Sequence, residues 1–269
     1  MQRLEHVSQP AENYNWLIQN FESYRFNDIV IADKFLPRPY VSLIFHFKDC
    51  PTVQKGVSIA LDSFFVGPII SRAFTLQFQG NLDTFTITCK ASVFSRLFQL
   101  DLSPVAKQSI DLPKSIFLPL WKQLSQLESI SDRINVFYSF IDIVQTTSYL
   151  PDAVDKLYDQ ILEKSIHYSV KRMIQDSSAS KSTLFRKFLK RTGVSPKTMA
   201  RIVRFNYLWT RINNEQAIDY QDLVFEGNFF DQSHFINDFK AIIGETPHYF
   251  FNRNLEVVKL FSGREFRHL

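Results

Sequence analysis

The sequence predicts an α+β protein of two parts. The first part is an antiparallel β barrel or sandwich with a small helical subdomain, and the second is all α-helical. Strict alternation of apolar and polar residues within the first hundred residues indicates strands. From Ser92 onward the apolar residues recur with a helical period instead. One joint between two helices occurs twice in the second part, around Gly193 and Gly244, which predicts two copies of one helical unit.

Four segments of the first part are predicted strands. "AFTLQF" at 73–78 and "DTFTITC" at 83–89 alternate residue by residue. In the second of these, one face carries the apolar side chains of Phe85, Ile87 and Cys89. "QGN" at 79–81 predicts a hairpin turn between the two segments. The other predicted strands are "YVSLIFHF" at 40–47 and "VSIALDSFFVG" at 57–67.

Two apolar stripes predict the helical subdomain. "SVFSRLFQL" at 92–100 has Ser92 as a candidate N-cap, and "SDRINVFYSFIDIV" at 131–144 repeats the helical spacing. The residues of the two stripes are Val93, Phe94, Leu97 and Phe98, and Ile134, Phe137, Phe140, Ile141 and Val144.

The boundary between the two parts is predicted near Pro151. "YLPDAV" at 149–154 begins a new helix, because proline is tolerated in a first helical turn. The apolar stripe of that helix is Val154, Leu157, Ile161 and Leu162. We therefore expect one domain at 1–150 and a second at 151–269, the latter helical almost throughout.

The repeated joint has the spacing Leu/Phe-x3-Phe-x4-Gly-x-Ser/Thr-Pro. In the first copy, Leu184 and Phe188 lie on one helical face, and Gly193 suits a left-handed C-terminal cap. Ser195 then caps the next helix, with Pro196 in its first position. The second copy has Phe235, Phe239, Gly244, Thr246 and Pro247 in the same places.

A short helix precedes each repeated helix, in "SVKRMIQ" at 169–175 and "YQDLVFE" at 220–226. Two short helices joined by a tight turn form a helix-turn-helix. The second part is thus predicted to hold two such units, joined by a long helix at about 196–213.

Charge is distributed unevenly along the chain. Residues 1–164 hold 15 Lys and Arg against 17 Asp and Glu, whereas residues 165–269 hold 16 against 10. Between 177 and 211 there are nine basic residues and no acidic one. A solvated basic face would ordinarily include some acids, so this segment indicates a polyanionic partner.

Two stretches carry a resemblance to the AraC/XylS family of transcription regulators: "STLFRKFLKRTGVSPKTMARIVRF" and "FFDQSHFINDFKAIIGETPHYF". The resemblance covers about 152–251, essentially the family's DNA-binding domain. It implies two helix-turn-helix units whose recognition helices enter successive major-groove segments of double-stranded DNA, about one helical turn (~34 Å) apart. It also implies RNA polymerase as a partner.

The resemblance further implies which residues contact DNA. Residues flanking the buried apolar position of each recognition helix reach the bases, namely Ser182, Thr183, Phe185 and Arg186 in the first helix and Gln232, Ser233, His234, Ile236 and Asn237 in the second. Arg186 suits guanine and Asn237 suits adenine. The expected phosphate contacts are Lys181, Lys187, Lys190 and Arg191.

The chain departs from the family pattern in its second helix-turn-helix. Asn228 stands where glycine is usual, although asparagine tolerates the left-handed conformation, and Val224 replaces a smaller residue. Residues 212–252 also carry seven acidic residues against Lys240 alone, which opposes strong DNA contact.

The first part resembles the cupin-like domain of unassigned function that precedes such DNA-binding domains in some bacterial regulators. The resemblance is carried by "FLPRPYVSLIFHF", "FFVGPIISRAFTLQFQG" and "FTITCKASVFSRLF". By its position this domain is a sensor or a dimerisation domain, so a small-molecule effector and a homodimer are the expected partners. The net charge of −2 over residues 1–164 does not favour DNA.

The motifs of other protein classes are lacking in the sequence. No cofactor, metal or catalytic residue is expected, since the seven glycines form no nucleotide-binding motif and Cys50 and Cys89 are too few for a zinc site. His46 is expected to be a packed or edge histidine. No uncharged apolar run approaches the roughly 18 residues of a membrane span, so a cytoplasmic protein is expected. The alternatives to a DNA-binding regulator are a protein-interaction module and, third, an enzyme.

Overall fold

The computed structural model describes residues 3–7, 9–55, 57–103, 109–145, 148–175, 180–212 and 219–262. The chain divides into two compact units. The first contains 1–33, 40–68 and 75–150, and the second contains 34–39, 69–74 and 151–269. None of the described helices is both long enough and apolar enough to cross a membrane.

The first unit is built on one curled antiparallel sheet, which confirms the predicted fold class of this part. Its strands are β1 Arg3–Val7, β2 Ile18–Phe35, β3 Val41–His46, β4 Thr52–Lys55, β5 Val57–Ala60, β6 Phe64–Gly67 and β7 Phe74–Cys89. The main path through the sheet is β1-β2-β7-β3-β6, and β4 pairs with both β5 and β7. The segment predicted as one strand at 57–67 is thus two strands, β5 and β6, with different partners.

The hairpin turn predicted at 79–81 is wrong, because these residues lie inside the continuous strand β7. The first half of β7 pairs with β4, where Val53 lies opposite Leu76, and the second half pairs with β3. Gly80 has a φ of +101°, a value that favours glycine, at the point where the partner changes. The local sequence does not distinguish a glycine at an irregularity within a strand from a glycine in a hairpin turn.

Among its described residues the first unit also has three α-helices: α1 Ala91–Phe98, α2 Lys114–Ser125 and α3 Ile130–Val144. The predicted N-cap Ser92 is wrong, since α1 begins after Lys90 and Ser92 lies buried in its first turn. The sequence pattern does not predict α2, which carries Pro119 in its interior. Helix α3 packs on the sheet through Phe137, whose ring meets the Phe21 ring edge-on at 6.2 Å.

The second unit is helical, as predicted. Its helices are α4 Ala153–Lys164, α5 Val170–Gln175, α6 Lys181–Thr192, α7 Pro196–Arg211, α8 Tyr220–Glu226, α9 Gln232–Ile243, α10 Pro247–Phe251 and α11 Glu256–Phe261. Pro151 lies just outside α4, which begins after its N-cap Asp152. The long helix α7 ends at Arg211, and the predicted end at Asn213 lies outside the described residues.

Both copies of the repeated joint have the predicted geometry. Gly193 and Gly244 cap α6 and α9 in the left-handed conformation, with φ values of +79° and +84°. Ser195 Oγ accepts from the N–H of Thr198 at 3.1 Å. Thr246 makes the equivalent cap at the start of α10. The two copies therefore begin and end their helices by the same local chemistry.

The apolar core of the second unit is rich in aromatic residues. The ring of Phe239 packs 5.8 Å from that of Phe205, so α9 and α7 share one core. Leu36, from the segment 34–39, is 3% exposed and lies in the same core. Asn206 Nδ2 donates to the carbonyl of Pro37 at 2.8 Å. The second unit is thus completed by residues distant in sequence.

Candidate nucleic-acid interface

Helix α6 presents a polar, basic face. Leu184 and Phe188 hold its opposite face in the core, at 1% and 0% exposure. Most of the predicted DNA-contacting residues of this helix are exposed, namely Lys181, Ser182, Phe185, Arg186, Lys187 and Lys190, whereas Thr183 is half-buried. Within the described part of the chain, the four cations of this exposed face form no ion pair with another residue. They are therefore available to an external anion.

Arg191 is the exception among the predicted phosphate contacts, because it is paired with two carboxylates of the chain. Its guanidinium donates to Asp152 Oδ2 at 2.6 Å and also to Asp155, whose side chain is fully buried. Burial alone would raise the pKa of Asp152, but backbone N–H donors and Arg191 outweigh it and hold that pKa below its ordinary value. Arg191 thus ties α6 to the start of α4.

Helix α9 presents a neutral, polar face. Gln232, Ser233, His234 and Asn237 are exposed. Ile236 is half-buried and packs against the core, so only part of its side chain reaches the surface. Asp231 caps the helix by accepting from the N–H of His234 at 2.7 Å. The His234 ring packs edge-on against Phe229 at 5.3 Å, which restricts its orientation.

The seven acidic residues of the segment 212–252 are largely engaged with other groups of the chain. Asp219 and Asp231 accept backbone N–H groups as helix caps. Asp238, Glu226 and Glu245 form ion pairs with Arg201, Arg211 and Lys34 respectively. Glu215 lies outside the described residues. Because three of the seven acidic residues are paired with cations, their count overstates the net negative charge of this segment.

Asn228 adopts the left-handed conformation expected of it, with a φ of +51°. Its Nδ2 donates to the carbonyl of Ile166 at 3.0 Å, which joins the turn of the second helix-turn-helix to the residues that follow α4. The departure from glycine is therefore accommodated, and the amide side chain adds a contact that glycine lacks.

A cleft of about 680 Å³ lies between the turn that follows α4, helix α7 and helix α9. Four cations line it: Lys171, Lys197, Arg201 and Arg204. Sequence reasoning placed none of them at a site. The signal was present, because residues 197, 201 and 204 are spaced i, i+4, i+7 and so share one helical face.

Two family profiles match the chain. The profile described as "Helix-turn-helix domain" matches residues 173–253. It spans α6 to α10 and both copies of the joint.

Residues 173–253 are an AraC-type helix-turn-helix domain. This match supports a DNA-binding transcription regulator. The second profile, "Domain of unknown function (DUF6597)", matches residues 6–111, upstream of the AraC-type domain. No curated protein matches the chain significantly.

Solved structures of ToxT from Vibrio cholerae match most of the chain. One at 1.65 Å resolution is 15% identical and covers 93% of this chain and 97% of its own, with a TM-score of 0.45. A second, bound to (E)-4-(8-methylnaphthalen-1-yl)but-3-enoic acid, is 14% identical with a TM-score of 0.46 and covers 93% and 97%. A third holds an unsaturated fatty acid, at 13% identity, 93% and 94% coverage, and a TM-score of 0.42.

Proposed function

We propose that the chain recognises specific DNA sequences through α6 and α9, which enter successive major-groove segments. The observation that carries this proposal is the duplicated geometry, in which each helix buries one face and exposes most of the predicted base-contacting residues. Arg186 would pair with guanine and Asn237 with adenine, since these side chains match the hydrogen-bonding edges of those bases. The exposed lysines of α6 would contact phosphates, which position the protein without specifying sequence.

Selection from a pool of random duplexes tests the proposal. A mobility-shift assay on the DNA upstream of the protein's own gene is the first step, and sequencing of retained duplexes is the second. We expect enrichment of a site with two contacted blocks about one helical turn apart. Retention without enrichment would contradict sequence-specific recognition.

The first unit is proposed to bind a small polar effector against one face of its sheet. In the register of β3 and β7, Ser42, Ile44 and His46 lie opposite Thr88, Thr86 and Thr84. This largely polar face is nonetheless buried. Within the described residues, Asn20 Oδ1, His46 Nε2 and Thr88 Oγ1 are buried without hydrogen-bond partners. Because an unpaired buried polar group costs about 1–3 kcal/mol, a ligand that supplies partners would be stabilised there.

A thermal-shift screen of the full chain against small hydroxylated and amide compounds tests this effector proposal. Thr88→Val removes the unpaired hydroxyl and keeps the side-chain shape, so it should reduce the shift produced by a bound ligand. Thr75→Val, on the part of β7 that pairs with β4, is the control. Sedimentation of the same protein distinguishes effector binding from self-association, because a homodimer is the other proposed role of this unit.

RNA polymerase and a cytoplasmic location are further proposals, which follow from the function of a transcription regulator. Pull-down of polymerase by the DNA-bound protein and cell fractionation test them.

A protein-interaction module is the second candidate function. Phe225 and Phe230, at 87% and 91% exposure, favour it, because large exposed aromatic side chains often mark protein contacts. If this function holds, Phe225→Ser and Phe230→Ser abolish a protein contact, and no duplex is bound above background.

A further inference from the structure

The cleft between α7 and α9 carries a net positive charge. Its lining contains four cations and one carboxylate, that of Asp238. The carboxylate is already paired, since it accepts from Arg201 Nε at 2.6 Å. A neighbouring depression of about 380 Å³ shares Arg204 with the cleft and adds Arg172. An anion entering here would meet an excess of positive charge.

Arg204 lies at the junction of the cleft and this depression. Its guanidinium stacks 4.8 Å from the centre of the Phe229 ring, which fixes the side chain in place. Burial lowers the pKa of Arg204 from its ordinary value, Asp238 raises it, and the like charge of Arg201 lowers it further. The group is thus a half-buried cation that lacks sufficient counter-charge.

Two buried polar atoms of the cleft have no hydrogen-bond partner within the described part of the chain. They are Arg204 Nε and Ser165 Oγ. Ser165 is 4% exposed and lines both the cleft and the neighbouring depression. A hydroxyl and a guanidinium N–H are both hydrogen-bond donors, and a phosphate oxygen accepts from either.

We propose that this cleft binds the DNA backbone between the two major-groove segments that α6 and α9 enter. This inference rests on the proposed function. Helix α7 starts at Pro196, soon after α6 ends at Thr192, and its Arg201 contacts α9. Its first turns therefore lie between the two recognition helices, where the backbone must cross from one groove segment to the next. Lys197, Arg201 and Arg204 form one face of these turns, and His234 of α9 lines the same cleft.

The position of the cleft favours DNA phosphate over a free anion. A free anion needs only a local pocket, whereas this cleft is bordered by α5 of the first helix-turn-helix and by α9 of the second. Its lysines come from different elements, Lys171 from α5 and Lys197 from α7. Such a spread of cations suits an extended polyanion that passes along the cleft.

The salt dependence of DNA binding by the full chain tests the inference. The probe is a random-sequence duplex of about 30 base pairs, roughly three helical turns. Lys171→Ala and Lys197→Ala should each make the slope of log K against log salt shallower by about 0.9, and the double variant by about twice that. Lys156→Ala, an exposed lysine of α4 that does not line the cleft, is the matched control and should leave the slope unchanged.

Ethylation interference on a selected duplex locates the contact. Phosphates between the two contacted base blocks should interfere with binding of the wild-type protein, and this interference should weaken in Lys197→Ala. Ser165→Ala removes a buried hydroxyl without partners, so the variant should fold with unchanged or higher stability and yet bind DNA more weakly.

Three results would overturn the inference in distinguishable ways. If Lys171→Ala and Lys197→Ala keep the wild-type salt slope while Lys187→Ala makes it shallower, the protein binds DNA but the cleft does not contact the backbone. If inorganic phosphate raises the melting temperature of wild type but not of Lys197→Ala, and the slopes are equal, the cleft is a small-anion site. If the wild-type protein binds no duplex, the proposed function itself fails.

Discussion

Arg201 Nε lies 2.6 Å from Asp238 Oδ1, and the pair joins the long helix α7 to the second recognition helix α9. The Asp238 side chain is 11% exposed and that of Arg201 is 35% exposed. Asp238 lies one residue after Asn237, the predicted adenine-reading residue. The ion pair therefore sets the position of α9 at the point where base recognition is expected.

A double-mutant cycle of Arg201→Ala and Asp238→Ala should give a coupling free energy of about 1 kcal/mol, because the pair is partly shielded from water. Native-state hydrogen exchange of amides in α9, without DNA, measures it. The pair Arg211–Glu226 is the matched control, since it also starts from α7 but is longer, at 3.5 Å, and more exposed. We expect less coupling there, and equal coupling in the two pairs would contradict the positional role of Asp238.

Arg191→Ala should destabilise the second unit by about 3 kcal/mol or more, because the buried carboxylate of Asp155 loses the guanidinium paired with it. Arg191 also lowers the pKa of Asp152, so the stability lost in the variant depends on pH. A carboxyl with a lowered folded-state pKa contributes stability above its unfolded pKa, 3.8, and loses it as the pH falls further. Urea unfolding at pH 7 and at pH 3 should therefore show a smaller difference between wild type and variant at pH 3.

Arg191→Ala also separates a structural role from a DNA-contacting one. Where the variant is folded, its salt slope for DNA binding should equal that of the wild type. A slope shallower by about one would restore Arg191 as a phosphate contact. Arg191→Lys, which keeps the charge but loses the planar two-point contact, should be intermediate in stability.

Arg186→Ala should weaken binding to the selected duplex by about 1–3 kcal/mol and relax the preference at one base pair. Lys187→Ala and Lys190→Ala should weaken binding to all duplexes alike and make the salt slope shallower by about one. Asn237→Ala should cost less than Arg186→Ala, because α9 has fewer cations to hold it in the groove. Binding isotherms at several salt concentrations measure these effects, and a larger cost for Asn237→Ala would make α9 the principal reader.

His46→Gln should remove an acid sensitivity of the first unit. Burial lowers the pKa of His46 to about 3, so the folded state keeps this imidazole neutral. Stability from this group is complete above its ordinary pKa of 6.5 and is lost as the pH falls towards 3. Between pH 6 and 4 the loss approaches about 1.4 kcal/mol per pH unit.

Tryptophan fluorescence in a Trp209→Phe background reports on the first unit, because the remaining tryptophans, Trp16 and Trp121, both belong to it. Unfolding at pH 7 and pH 5 should show a larger loss for the wild type than for His46→Gln. Equal losses would mean that another group controls the acid response.

The isolated fragment 151–269 should fold and bind DNA, but with lower stability than the same unit in the full chain. The fragment lacks Leu36, which is buried in the core, and the N–H of Ala73, which donates to the carbonyl of Ile242 at 2.7 Å. Circular dichroism and a low-salt mobility shift check this expectation. A helical, soluble fragment without DNA affinity would contradict it, and Leu36→Ala in the full chain should reproduce part of the stability loss.

The sequence by itself determined the two repeated joints. Gly193 and Gly244 end their helices because a residue without Cβ enters the left-handed region readily, and Ser195 caps a neighbouring N–H. These effects depend on torsions and hydrogen bonds within a few residues. The exposed faces of α6 and α9 followed from the same local periodicity, since Leu184 and Phe188 must be buried together.

Only the tertiary structure decided which groups meet across long stretches of chain. The hairpin expected at 79–81 became part of β7 because β3 and β4 pair with its two halves. Arg191, expected on phosphate, is held by Asp155, 36 residues earlier in the chain. The cationic cleft likewise needs Lys171 and Lys197 brought together by packing. Periodicity shows which face of a helix is buried, but the partner of an ion pair or a strand is set by the whole fold.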